Sequence, residues 1–371
     1  MKNLMIPALA LFLSAAAQAD DSPLWMRYCA ISPDGQTIAF SYQGDIYTVP
    51  SSGGKARQLT THPAHDTRPV WSPDGQRIAF ASNRSGNFDV FLMNKEGGEP
   101  KRLTTHSTNE YPTTFKDNGH ILYLANVLQD AKDIQFPGTR FMQVYEISTD
   151  GGRPDLYSSL YMENIALSKD GSKLLYNDYK GYEDPWRKHH QSSITRDIWL
   201  CTLGKDRSFQ KVTTFGGEDR NPVWAADGAS FYYLSEEKGS FNIFKKDLAG
   251  NSEKQITTHT THPVRFLTSD NSGTLCYSYD GEIYTVKEGQ KPAKVNIQIV
   301  ADKIENDVIH RLLTDGATDI AISPNGKEVA FITRGDVYVT SIEYETTRQI
   351  TNTPQQERLS LIHISEPTRR S

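Results

Sequence analysis

A four-residue turn recurs along this chain, and it constrains the fold more than any other feature. Ser32-Pro33-Asp34-Gly35 returns as Ser72-Pro73-Asp74-Gly75, and weaker copies follow at a spacing of roughly 50 residues. Those copies begin at Lys116, Ser168, Ala225, Ser269 and Ser323. Proline presets φ at the first central position, and Asp or Asn followed by Gly tolerates the left-handed conformation that closes a tight hairpin. Each copy therefore predicts a turn between two antiparallel strands.

Strand-like segments surround the turns in a constant order. An apolar segment such as TIAFSY or RIAFAS follows the turn, then an aromatic one such as DIYTVP or DVFLMN, and a closing one such as ARQLTTH ends several units. A segment such as TRPVWS enters the next unit, which gives four short antiparallel strands per repeat. One four-stranded sheet cannot bury both faces, but blades arranged radially cover one another, so the pattern predicts a β-propeller. A β-solenoid or sandwich, the alternative, has shorter repeats or none.

The repeats predict an all-β chain: a six-bladed β-propeller with four-stranded antiparallel blades of TolB-like or WD-type repeats, plus the first blade of a second propeller. The repeat of strands and turns is interrupted after Lys287, and a seventh unit begins near Ile320. We therefore place the six-bladed ring at 20–288, a linker at 289–316 and the start of the second propeller at 317–358. A single seven-bladed ring is the alternative. Because the first unit already has its own entering strand, we expect the ring to close by packing alone.

The first 19 residues are typical of an export signal. Lys2 supplies a positive charge, an apolar stretch runs from Leu4 to Ala17, and Ala17-Gln18-Ala19 fits the cleavage rule of small residues flanking any residue. A membrane anchor is the alternative, but a spanning helix needs about 20 apolar residues, more than this stretch contains. We therefore interpret 1–19 as a signal peptide, place the protein in the periplasm or outside the cell, and expect no membrane span after cleavage.

Charge, cysteines and histidines point to no nucleic acid, metal or cofactor. The net charge is -5 with no long run of either sign, whereas a nucleic-acid-binding protein carries a basic patch. Cys29, Cys201 and Cys276 lie far apart in apolar strand segments, which predicts buried free thiols. No set of histidines, cysteines and carboxylates has the spacing of a zinc site.

A long insertion in the fourth unit, Tyr182–Leu200, holds the candidate binding residues. Its basic, aromatic-flanked sequence suits the acidic terminus of a peptide, and the candidates are Arg187, Lys188, His189, His190 and Arg196. A solvated loop packed across a neighbouring blade is the alternative. Ser192, His190 and Asp184 also lie there, but a triad needs an oriented base and an oxyanion hole. We therefore expect no catalytic residue in this chain.

The units resemble a known family. ISPDGQTIAFSYQGDIYTVP and the unit after it resemble the amino-terminal propeller of bacterial tricorn-type proteases, as do YEDPWRKHHQSSITRDIWL and ATDIAISPNGKEVAFITRGDVYVTS. The resemblance covers Leu24 to Arg358. It implies a longer chain with a six-bladed propeller, a seven-bladed propeller, a helical part, a PDZ domain and a serine-peptidase domain. In that family the propellers are thought to filter and channel peptides.

The resemblance implies a function without local catalysis. The chain is then the propeller portion of an exported tricorn-like serine peptidase, which gates or binds peptides for a downstream peptidase domain. Its partners are peptides and the downstream peptidase and PDZ domains, and homo-oligomerisation is left open. A periplasmic protein-binding propeller of the Tol-system type is the alternative, and a propeller of the prolyl-oligopeptidase group is a third.

The repeat pattern stops at Arg358. The segment LSLIHISEPTR, Leu359 to Arg369, is the translation of a string that looks like a transposon-based sequencing-library adapter. We therefore expect 359–371 to be adapter sequence and Arg358 to be the last biological residue. A divergent tail is the alternative.

Cleavage after Ala19 is directly testable. Because the small-residue site there fits the signal-peptidase rule, intact-mass analysis of the exported protein should find Asp20 as the first residue. A membrane-bound protein that retains Met1 contradicts the signal-peptide assignment.

Overall fold

The computed structural model describes residues 23–127, 141–181, 192–250, 252–300, 315–344, 346–351, 353 and 356–357. These residues form strands, turns and bends, and none of them lies in a helix. Accordingly, this part of the chain contains no helix that is long and apolar enough to cross a membrane. The chain divides into two compact units, Met1–Ala301 and Asp302–Ser371.

The first unit contains six sheets within its described residues. Each has four antiparallel strands from one continuous stretch of chain, and the first sheet gains a fifth strand from a later segment. The strands, in chain order and four to a sheet, are β1 (Arg27–Ile31), β2 (Thr37–Tyr42), β3 (Asp45–Pro50), β4 (Gly54–Gln58); β5 (Asp66–Trp71), β6 (Arg77–Ser82), β7 (Asp89–Asn94), β8 (Gly97–Arg102); β9 (Glu110–Asp117), β10 (His120–Ala125), β11 (Gln143–Ser148), β12 (Asp155–Ser158); β13 (Met162–Leu167), β14 (Lys173–Asp178), β15 (Ile198–Thr202), β16 (Ser208–Lys211); β17 (Asp219–Trp224), β18 (Ser230–Ser235), β19 (Asn242–Asp247), β20 (Glu253–Gln255); β21 (Arg265–Ser269), β22 (Thr274–Tyr279), β23 (Glu282–Lys287) and β24 (Ala293–Lys294).

The six sheets close into a ring through their first strands. β1 contacts β5, β5 contacts β9, and the series continues through β13, β17 and β21 back to β1. The first strand of every sheet is therefore the inner one, and the fourth is the outer one. This arrangement confirms the predicted all-β, six-bladed propeller.

Apolar side chains fill the space between neighbouring blades. Phe40 and Ile38 of the first blade are fully buried and share one cluster with Cys276 and Ile283 of the sixth blade. On the opposite face, Ile46 packs with residues of the second blade. The apolar segment after each turn packs between blades, as the sequence predicts, because only a neighbouring blade removes its two faces from water.

The recurring turn has the chemistry that its sequence predicts. In the second blade, the Ser72 hydroxyl donates to Asp74 Oδ1 at 2.5 Å and accepts from the Arg77 amide at 2.9 Å. Asp74 Oδ1 also accepts from the Gln76 amide at 3.0 Å. Gly75 adopts φ +66°, the left-handed conformation that glycine reaches without strain. The same bonds recur at Ser32, Ser168 and Ser323.

The expectation that the ring closes by packing alone is wrong. A further strand, β25 (Ile297–Ile299), pairs in parallel with the outer strand β4, and the Gly54 amide donates to the Asn296 carbonyl at 2.8 Å. The physical reason is apolar burial, because Val295 and Ile297 enter the core cluster that the first and sixth blades share. The chain that follows the sixth blade thus returns to the first blade.

The second unit contributes one four-stranded antiparallel sheet within its described residues, made of β26 (Ala317–Ile322), β27 (Glu328–Thr333), β28 (Asp336–Ser341) and β29 (Thr347–Gln349). Ile320 and Ile322 are 68% and 66% exposed. This exposure agrees with the prediction of a lone first blade. The boundaries at 289–316 and 317–358 stay predictions.

The turn bonds predict a stability difference between two substitutions at Asp74. Asp74→Ala removes the acceptor of two hydrogen bonds and should lower the free energy of unfolding by about 1–2 kcal/mol. Asp74→Asn should lower the free energy of unfolding by less than half as much. An asparagine can accept the same bonds, since Asn325 accepts them from Ser323 and Lys327 in the seventh unit. Urea unfolding of both variants measures this difference. Equal losses for the two would show that the side-chain oxygen does not hold the turn.

Candidate functional site

The inner strands share a bulge that aims one side chain out of the regular pleat. In five of the six, the residue four positions before the turn, or three before Ser269 in the sixth blade, has a positive φ between 48° and 56°, and the pairing register shifts beside it. These residues are Tyr28, Arg68, Asn164, Asn221 and Phe266. β9 has Pro112 at this position, and the proline ring fixes φ at a negative value. A bulge re-aims a side chain. Four of the five contact a neighbouring inner strand, and Asn164 bonds Asn177 on β14 of its own blade.

Four side chains meet across successive inner strands, and we call them the aromatic belt: Tyr28, Arg68, Tyr111 and Phe266. The rings of Tyr28 and Phe266 lie 4.4 Å apart between the first and sixth blades. The Arg68 guanidinium lies 5.4 Å from the Tyr28 ring centre and 4.1 Å from that of Tyr111. All four side chains are half-buried. The belt thus joins the sixth, first, second and third blades at the ring axis.

Arg68 carries a positive charge that its described surroundings do not neutralise. Within the part of the chain that the structure describes, no carboxylate oxygen lies within 4.0 Å of its guanidinium. Its neighbours are aromatic faces, which attract a cation without cancelling its charge. Burial raises the pKa of Tyr111 and the nearby Arg68 opposes that shift, so the phenol is neutral at physiological pH. The belt therefore presents a cation between two neutral rings.

Amide side chains join the remaining inner strands. Asn164 Nδ2 donates to Asn177 Oδ1 at 2.8 Å, and the backbone nitrogen of Asn221 donates to the same oxygen at 3.3 Å. Asn221 Nδ2 donates to the Leu267 carbonyl at 2.9 Å, and the Leu267 amide returns a bond to Asn221 Oδ1 at 3.2 Å. These bonds tie the fourth, fifth and sixth blades. One side of the axis is thus cationic and aromatic, and the other is amide-rich.

Of the five predicted binding residues, the structure describes Arg196 alone, because Arg187, Lys188, His189 and His190 lie outside the described residues. Arg196 is buried, with Nε 2.9 Å from Glu163 Oε2 and Nη1 3.4 Å from Glu218 Oε1. Burial opposes its charge, but these two carboxylates outweigh that effect and raise its pKa. Arg196 therefore anchors the end of the insertion to the fourth and fifth blades. Its role in binding a peptide stays a prediction.

Asp219 begins β17 beside Arg196, and its amide donates to the Arg196 carbonyl at 2.9 Å. The hydroxyls of Thr213 and Ser235 lie nearby, yet neither carboxyl oxygen of Asp219 has a hydrogen-bond partner in the described residues. Burial raises the pKa of Asp219 to about 7. A carboxyl in this position holds a proton in the folded protein at a pH where it is ionised in the unfolded chain.

The aromatic belt is absent from the sequence-based candidates, although a signal for it exists. Three of its residues occupy the bulge position three or four residues before a turn, and Tyr111 directly precedes the corresponding Pro112. Aligning the repeats by their turns places these side chains in one layer. The residue type varies from unit to unit, so the position does not stand out as a repeated motif.

Comparisons with known proteins agree with the fold. Residues 23–292 match the family model of the tricorn protease N-terminal beta propeller domain. The tricorn protease homolog of Saccharolobus solfataricus is 22% identical over 323 residues, which cover 85% of this chain and 28% of that protein. Tricorn protease homolog 1 of Streptomyces coelicolor is 23% identical over 290 residues, or 76% of this chain and 26% of the relative. The crystal structure of the tricorn protease superposes with a TM-score of 0.65 at 20% identity, over 90% of this chain and 32% of that one. The chain thus spans less than a third of each.

The raised pKa of Asp219 predicts how stability depends on pH. Its stability contribution is fully present below the unfolded pKa near 4 and is lost as the pH rises towards 7, because the folded state must then hold an unpaired charge. Asp219→Asn keeps the shape without that charge. The free energy of unfolding of the variant should exceed that of the parent by about 1–3 kcal/mol at pH 8 and equal it at pH 4, as measured by urea unfolding.

Asp74→Asn is the matched control for this prediction. The Ser72 hydroxyl lowers the pKa of Asp74, so its charged form is the stabilised one. This control should show no gain at pH 8. A pH-independent difference between Asp219→Asn and the parent would contradict a raised pKa at Asp219.

Proposed function

Because the chain belongs to the family of tricorn protease N-terminal β-propeller domains, we propose that it is the non-catalytic propeller portion of an exported tricorn-like serine peptidase. In this proposal the ring binds or gates peptides, and a peptidase domain elsewhere in the parent chain cleaves them. The nucleophile and base come from that domain, and a PDZ domain and the peptidase domain are partners of the ring. The signal peptide predicted at 1–19 directs the protein to the periplasm or out of the cell.

The half-buried guanidinium of Arg68 is the feature that supports peptide binding most strongly. A peptide's terminal carboxylate is planar and anionic, and a guanidinium pairs with it through two parallel hydrogen bonds. Arg68 is half-buried, where water weakens such a pair less than at an open surface. It also lacks a carboxylate partner in the described part of the chain, so binding a peptide breaks no ion pair that the structure shows.

The aromatic rings beside Arg68 supply the second element of the proposed site. Tyr28, Tyr111 and Phe266 offer flat apolar faces to whatever peptide side chain precedes the carboxylate. Such contacts are tolerant of sequence, which suits a ring that passes many peptides. The site thus combines one specific charge with unspecific apolar contact.

The position of the belt supports gating as well as binding. Its side chains lie where the six inner strands meet, so a peptide that travels along the axis passes Arg68. Arg196 holds the end of the insertion against the same inner strands through Glu163. We keep Arg187, Lys188, His189 and His190 as a second set of candidate peptide contacts, since Arg187 and Lys188 add positive charge to that insertion.

A terminal carboxylate makes a sharp test of this proposal. The protein should bind a short peptide with a free C-terminal carboxylate about tenfold more tightly than the same peptide with a C-terminal amide. Arg68→Ala should abolish that preference. Fluorescence anisotropy with a labelled peptide measures both affinities.

Arg57→Ala is the control variant. Arg57 lies on the outer strand β4 with its side chain 60% exposed, and it pairs with Glu96 at 2.5 Å. The Arg57→Ala variant should keep the full preference for the peptide with a free carboxylate. Equal binding of acid and amide by the parent protein, or a preference that survives Arg68→Ala, would refute the proposed anchor.

A further inference from the structure

The junction between the sixth and first blades is the place where the two ends of the ring meet. β1 contacts both β21 and β22 there. The Met26 amide donates to the Gly281 carbonyl at 3.1 Å, and the Ile31 amide donates to Thr268 Oγ1 at 3.1 Å. At every other junction the chain runs directly from one blade into the next. This junction therefore has the fewest covalent constraints on its opening.

Two of the three cysteines lie on opposite sides of this junction, in one core cluster. Cys29 lies on β1 and is 1% exposed, and Cys276 lies on β22 and is 0% exposed. Both are free thiols in this structure and belong to the core cluster that the first and sixth blades share. The Ser278 hydroxyl, two residues along β22 from Cys276, donates to the Cys29 sulfur at 3.5 Å. The Cys29 thiol also donates to the Phe266 carbonyl at 3.3 Å. The third cysteine, Cys201, packs in a separate cluster with residues of the third and fourth blades.

We propose that Cys29 and Cys276 form a disulfide bond that fastens the first blade to the sixth. The bond replaces two S–H bonds with one S–S bond and releases two protons and two electrons. A disulfide-containing oxidant, such as oxidised glutathione or a protein disulfide of an oxidising compartment, accepts the electrons and leaves as two thiols. One cysteine thiolate attacks the oxidant to form a mixed disulfide. The second cysteine thiolate then attacks the sulfur of the first cysteine and releases the oxidant's remaining half as a thiol. The proposal does not depend on the peptide-binding function.

The surroundings of the pair favour a disulfide over a metal site. Zinc needs three or four protein ligands, and no group of three or more His, Cys, Asp or Glu residues in the described ranges is placed to hold a metal ion. The hydroxyl of Ser278 lies 3.5 Å from the Cys29 sulfur, and this neutral group does not repel a disulfide. Two thiols in one apolar core cluster suit the formation of a buried disulfide.

Burial determines when the bond forms. An oxidant cannot reach either sulfur in the closed ring, and burial raises the pKa of Cys276, which disfavours the thiolate that must react. The disulfide therefore forms while the chain folds, before the sixth blade docks on the first. Once formed, it is shielded from reductants in the native protein. Oxidation of the reduced, folded protein is correspondingly slow.

Oxidative refolding tests the pairing. The full chain is unfolded with reductant, refolded in a mixture of oxidised and reduced glutathione, and then alkylated with iodoacetamide in denaturant. Mass spectrometry should find one alkylated cysteine, Cys201, and a disulfide-linked peptide pair that contains Cys29 and Cys276. Alkylation of all three cysteines, or a bond that includes Cys201, overturns the proposal.

Thermal unfolding gives an independent readout of the same bond. Closing so long a loop should raise the melting temperature of the oxidised protein by about 5–10 °C over the reduced protein. Cys201→Ala should keep this difference, and Cys29→Ala and Cys276→Ala should each abolish it. Each comparison is made within one variant, so a variant's own loss of stability does not obscure the result. A difference that persists in Cys29→Ala overturns the proposal, as does its absence from the parent protein.

Discussion

A blade of four strands can bury its two faces only against the blades beside it, and this constraint underlies the rest of the structure. The fully buried side chains of the first blade, Phe40 and Ile38 among them, pack against the sixth blade on one face, and Ile46 packs against the second blade on the other. Removing such side chains from water supplies the main driving force for folding. A ring left open at one junction would expose two such faces at once, so the core of every blade depends on closure.

Closure also determines what lies at the axis. Six inner strands converge there, and the bulges of five of them re-aim side chains, four of which contact a neighbouring inner strand. Left-handed φ values are unfavourable for residues such as Tyr28, Arg68 and Phe266. The contacts across the axis, from the 4.1 Å approach of Arg68 to Tyr111 to the amide bonds of Asn221, offset that cost. The strained backbone and the candidate binding surface therefore have the same origin in the convergence of the inner strands.

The sequence predicts the parts of this structure that repeat. Each turn is local, since Ser72, Asp74 and Gly75 make their bonds within a few residues of one another. A local motif of this kind can be recognised from the sequence alone. The number of blades follows from counting such turns. The return of β25 to β4 was not predicted, because a three-residue parallel pairing depends on where Val295 and Ile297 find apolar cover rather than on a motif.

The candidate site was less predictable for a related reason. The aromatic belt assembles residues from four separate blades, and no two of its members are near in sequence. The meeting of Cys29 with Cys276 is likewise a product of ring closure. Arg196 was recognised as a basic residue of the insertion, but its two carboxylate partners, Glu163 and Glu218, come from other parts of the ring. Each of these features needs the closed ring before it exists.

Amide hydrogen exchange with and without peptide tests the central claim, that the closed ring presents a peptide-binding surface at its axis. The measurement follows each strand of the first unit by mass spectrometry, with a peptide that has a free C-terminal carboxylate. The account predicts that the peptide slows exchange in the inner strands β1, β5, β9 and β21, which carry the aromatic belt, and leaves the outer strands β4, β8 and β12 unchanged. Slower exchange confined to the outer strands, or no change in any strand at saturating peptide, would contradict it.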